Sequence, residues 1–119
     1  MNGFILTNSG IEYDKGIERF LGNKELYDSV LSAFLEDDVF NRMEESYRKK
    51  DYDCLLDCAH ELKGTSGNID MNNLYQATST LVVSLRTSDF TQEQLEKEFE
   101  QVKRMYLIAI GGIYAAREE

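Results

Sequence analysis

His60 is the only histidine in a chain of 119 residues, and Lys63, Gly64 and Gly67 follow it at three, four and seven positions. Residues so spaced lie on one stripe of a helix surface. An imidazole is a nucleophile near neutral pH and can hold a covalent phosphoryl group on nitrogen. A lysine one turn away offsets negative charge on phosphoryl oxygens. Two residues without side chains leave a shallow floor on which a partner can bring its own acidic site close. Glycine inside a helix costs roughly 0.5–1 kcal/mol against alanine, so two in one segment answer to something other than helix stability. The plain alternative is a surface histidine with no task, and spacing alone does not set it aside.

Cys54 and Cys58, four apart on the same segment, share a helix face, where a disulfide would be strained. Two reduced, partly buried thiols are expected. No metal site is expected either, because there is no third cysteine or second histidine to complete one. His60 follows Cys58 by two positions and so points to a different face.

These residues need a helix to position them, and the sequence supplies caps and apolar spacing for several. Ser9 with Glu12 has the capping-box spacing and predicts a short helix carrying Ile11, Ile17, Phe20 and Leu21, stopped by Gly22. Asn23 caps the next, with Leu26, Val30 and Phe34 on one stripe, Tyr27, Leu31 and Leu35 beside it, and a break near Asp38 before Phe40, Met43 and Tyr47. Asp51 caps the helix of His60, spanning about residues 52–69, with Leu55, Ala59, Leu62, Ser66 and Ile69 turned inward. His60 lies about 100° from Ala59 and nearly opposite Leu62, so its ring should face solvent. Asp70 is the expected cap of a helix bearing Leu74, Ala77, Leu81 and Leu85. Thr91 with Gln94 opens the last helix, whose seam runs through Leu95, Phe99, Val102, Tyr106, Ala109 and Ile113. The fold class expected is all-α: an antiparallel up-down four-helix bundle with additional short N-terminal helices.

Composition agrees. The chain has no proline, 42% hydrophobic and 29% charged residues, and the length of a single domain, 1–119. A net charge of -9 disfavours nucleic acid and anionic membrane as partners, and a protein partner fits better. The most apolar stretch, Tyr106 to Ala116, is too short to span a bilayer, and no secretory pattern opens the chain, so a cytoplasmic protein is expected.

Residues 59 to 69, Ala-His-Glu-Leu-Lys-Gly-Thr-Ser-Gly-Asn-Ile, closely resemble the signature of histidine-containing phosphotransfer domains, His-x-Leu-Lys-Gly-Ser/Thr/Ala-Ser/Ala followed by a small residue. Residues 16 to 27 look like that family's N-terminal helix and turn, and the resemblance extends over roughly residues 9 to 113. It implies that His60 is phosphorylated, that Lys63 is the supporting cation, and that Gly64 and Gly67 form the surface on which a receiver domain docks. It implies a phosphocarrier without kinase activity of its own, no cofactor, and a divalent metal carried by the receiver. The partners implied are response-regulator receiver domains and a hybrid histidine kinase, met by a monomer.

Two features depart from the family pattern. Asp70 stands where the family usually has glycine, and residues 79 to 83, which should pass near the imidazole, offer only hydroxyls to orient it. Arg48, Lys49 and Lys50 could add a positive rim to the docking face, or be a solvated helix end. A non-phosphorylated helical adaptor that docks on receiver domains or histidine kinases is the alternative function.

Overall fold

Three of the short polar side chains expected at helix starts do cap helices. The computed structural model describes residues 1–117, in which seven helices follow one another: α1 (Gly3–Asn8), α2 (Tyr13–Arg19), α3 (Lys24–Phe34), α4 (Val39–Arg48), α5 (Tyr52–Asn68), α6 (Asn72–Thr87) and α7 (Gln92–Arg117). Among the described residues there is no strand. Nor is any helix there long and apolar enough to cross a membrane. The Asn23 side chain accepts from the Leu26 amide at 3.0 Å, Asp51 from Cys54 at 3.2 Å and Thr91 from Gln94 at 3.0 Å. Each satisfies one of the amides that a helix start leaves without a partner.

Two expected caps are not formed. Ser9 does not open α2; it closes α1, donating its hydroxyl to the Ile5 carbonyl at 2.7 Å. The helix after it begins at Tyr13 with no side-chain cap. The extra turn of helix before Ser9 makes its hydroxyl more useful to the carbonyl four residues back. Asp70 does not cap α6 either, since the residue flanking that helix is Met71, without a side-chain cap. Asp70 instead has φ of +59° and closes α5, where its amide reaches the Gly67 carbonyl at 3.4 Å and the Met71 amide reaches Ser66 at 2.9 Å. That pair of bonds is the left-handed helix end at which glycine is usual.

The inward stripe of α5 is as its spacing predicts: Leu55, Ala59, Leu62, Ser66 and Ile69 are all buried. On α3 the buried set is Tyr27, Leu31 and Phe34, while Leu26 stays half exposed. A single cluster of buried apolar residues draws on all seven helices. Helix α5 packs between α4 and α6, α6 also packs on α7, and α1 lies on α7. Aromatic rings join α4 to α7: Tyr47 stacks on Phe99 at 4.1 Å and Phe40 on Tyr106 at 4.3 Å between centroids. The higher-numbered ring of α4 thus meets the lower-numbered ring of α7, and the two helices run in opposite directions.

The N-terminal helices are tied to the α5–α6 turn. The buried Tyr27 hydroxyl donates to the Ile69 carbonyl at 2.6 Å, and the Glu12 amide to the Asp70 carbonyl at 2.8 Å.

Candidate functional site

Because Ala59 and Leu62 are fixed in the core, the helical step between them turns His60 outward, and its side chain is exposed. Four positions on, Gly64 faces open space: a Cβ added there would meet nothing within 4 Å. Gly67 is different. A Cβ there would come within 3.0 Å of the Tyr75 ring, so the missing side chain admits an aromatic ring from α6 and leaves no bare floor. Both glycines still line one groove of about 460 Å³, together with His60, Lys63 and Tyr75.

The charges of the groove divide sharply. Lys15 and Arg19 of α2 line it, but Lys15 lies 3.5 Å from Glu12, and Arg19 donates to Asp70 at 2.8 Å, with the carboxylate only 5% exposed. The hydrogen bond and charge of Asp70 push the Arg19 guanidinium up from its ordinary value. Lys63, partly buried, forms no ion pair among the described residues. It is therefore the groove cation with charge to offer an incoming anion.

On the opposite flank, Arg42 of α4 donates to Glu61 at 2.6 Å and to Asp38 at 3.1 Å. Those bonds raise its pKa further, the Glu61 bond foremost. Arg48, Lys49 and Lys50 do not line the groove; they sit at the end of α4, where Lys49 pairs with Glu45 at 2.9 Å.

The side chain that meets the imidazole is Arg86 of α6, whose Nη2 lies 3.2 Å from His60 Nδ1. Sequence reasoning missed it because it looked for the orienting group among residues 79 to 83. The signal was present, since Arg86 follows Ser79 by seven and Val83 by three and so continues the same stripe of α6. With Nδ1 occupied, Nε2 is the ring nitrogen left for a partner.

Both cysteines are free thiols. Cys54 accepts from the Ser46 hydroxyl at 3.0 Å. Burial, then the neighbouring Cys54, pushes the Cys58 thiol up. No three histidine, cysteine, aspartate or glutamate side chains converge as a metal site among the described residues.

An exposed imidazole, a lysine with no ion pair among the described residues and a gap in the side-chain cover thus lie within one turn of each other on α5. No family model matches the chain, and neither does any curated protein or any solved structure.

Proposed function

We propose that this chain is a histidine phosphotransfer protein of a two-component phosphorelay. The observation that carries the reading is a lone exposed imidazole one turn from the open space at Gly64 and from Lys63, which forms no ion pair among the described residues. In the forward step Nε2 attacks the phosphorus of a receiver's aspartyl phosphate. The new N–P bond forms as the acyl O–P bond breaks, and the electron pair of that bond returns to the receiver's carboxylate. The ring attacks with its proton on Nδ1 and the Nε2 lone pair free, that proton passes to solvent once the N–P bond has formed, and the reverse sequence loads a second receiver. Lys63 stabilises charge on the transferring group, and Gly64 lets the receiver's carboxylate come within bonding distance of the ring.

Chemistry of this kind needs only positioning and charge from the carrier. The divalent metal belongs to the receiver in this scheme, and the carrier has no kinase activity. The partners are response-regulator receiver domains and a hybrid histidine kinase, encountered by a cytoplasmic monomer. The scaffold in this reading is an antiparallel four-helix bundle made by α4, α5, α6 and α7, with α1 to α3 as additions. The opposed registers of α4 with α7, and of α5 with α6 through His60–Arg86 and Gly67–Tyr75, support that arrangement.

Incubation with a phosphorylated receiver domain should label the wild-type chain in an acid-labile, base-stable form, and His60→Gln should remain unlabelled. Equal labelling of the variant would end this reading.

A further inference from the structure

We propose that Arg86 decides which nitrogen of His60 holds a proton, and that it thereby protects the phosphorylated ring from acid-driven loss of its phosphoryl group. The inference rests on the phosphocarrier reading above. A guanidinium has donors only. With Nη2 at 3.2 Å from Nδ1, Nδ1 must accept, and the proton of the neutral ring sits on Nε2. Nε2 then lacks a lone pair, so the empty ring attacks only after its proton has moved to Nδ1 and the Arg86 contact has opened. A ring phosphorylated on Nε2 suits the contact as it stands, because its Nδ1 has a lone pair and no proton. Arg86 favours that state.

Hydrolysis runs through the opposite state. Water bonds to phosphorus as the Nε2–P bond breaks, and the electron pair of that bond returns to Nε2. The ring then departs as neutral imidazole if Nδ1 has first gained a proton, and the phosphate leaves with both hydrogens of the water. Without that proton the leaving group is an imidazolide anion, which is far poorer. A guanidinium on Nδ1 opposes the protonation twice, by occupying the lone pair and by repelling a second positive charge.

The other charged groups around the ring do not duplicate this role. Lys15 and Arg19, from the α2 side of the groove, are bound to Glu12 and Asp70. Lys63 lies one turn beyond His60 on α5, and Asp57 one turn before it. Glu61, the next residue, is held by Arg42 of α4. From α6, Arg86 is the charged side chain in hydrogen-bond contact with the ring.

The test loads the protein with phosphoramidate, a small N–P donor that needs no partner, and follows phosphoryl loss across a pH series. His60→Gln defines the background. Because a neighbouring positive charge disfavours ring protonation, Arg86→Ala should lose the group about tenfold faster than wild type at about pH 8, where few rings are protonated in either protein, and the gap should close toward about pH 4, where nearly all are. Arg86→Lys, which keeps a cation, should restore most of the lifetime. Superimposable wild-type and Arg86→Ala profiles overturn the inference.

A second measurement requires neither loading nor a variant. The nitrogen spectrum of the single histidine ring in unloaded protein should show a protonated Nε2 and a bare Nδ1, and a proton on Nδ1 overturns the inference. Failure of a receiver to load the protein would count against the proposed relay alone, since neither measurement involves a receiver.

Discussion

Asp70 holds two conflicting roles in one residue. Its backbone lies in the left-handed region at φ +59°, a conformation that costs an ordinary residue roughly 1–2 kcal/mol and a glycine almost nothing. Its nearly buried carboxylate holds Arg19 at 2.8 Å, a contact that glycine cannot make. The aspartate thus ends the helix with a backbone that suits glycine and adds a tie to α2. Of the two contributions, the side chain's is the smaller, because Arg19 is about half exposed and solvent weakens the pair. Asp70→Gly should therefore unfold at higher urea than wild type, since the strain relieved exceeds the ion pair lost, and Asp70→Ala, which loses the pair and keeps the strain, at lower urea than wild type and about 1–2 kcal/mol below the glycine variant. An alanine variant as stable as the glycine variant would show that the turn is not under this constraint.

At the scale of the element, α5 carries two glycines that look equivalent in the sequence and are not. Gly64 has open space beside it, whereas Gly67 has the Tyr75 ring. Gly64→Ala should therefore stabilise the helix by about 0.5–1 kcal/mol. Gly64→Leu should keep the fold and still accept phosphoryl from phosphoramidate, yet lose transfer from a receiver domain. Retained receiver transfer in Gly64→Leu would remove the steric role assigned to this position.

The difference between the glycines could not be read from spacing, because Tyr75 arrives from another helix. The same limit applies to Arg86, which reaches His60 across the α5–α6 interface. By contrast, the caps at Asn23, Asp51 and Thr91, the inward stripe of α5 and the outward turn of His60 are consequences of local periodicity, and all were legible. Ser9 misled because its hydroxyl had two available partners within one turn: a helix start ahead of it and a carbonyl behind it. Which of them it takes depends on α1, a helix of six residues whose apolar pattern is too short to register.

At the scale of the molecule, the groove beside His60 is built from segments far apart in the chain, and Tyr27 is the buried bond between them. Its ring is fully buried, and Gly16 lies so close against it that any side chain there would collide with the ring. Its hydroxyl donates to the Ile69 carbonyl at 2.6 Å, just before the turn that Asp70 makes. Burial, then the charge of Asp70, pushes the hydroxyl's pKa well above its ordinary value, so it remains a donor at any working pH. Phenylalanine would fill nearly the same volume and leave the Ile69 carbonyl buried with one hydrogen bond fewer, at a cost of about 1–3 kcal/mol. For a domain of this size that corresponds to a melting temperature lower by roughly 4 °C per kcal/mol. Because the bond joins α3 to the end of α5, the loss should be felt at the groove as well. Amide exchange should rise at Glu12, whose N–H is held by Asp70, and at Met71, held by Ser66, while the amides of α7 should keep their protection. A Tyr27→Phe variant that melts with wild type and leaves those amides unchanged would show that the Tyr27 hydroxyl contributes nothing to holding the helices before α4.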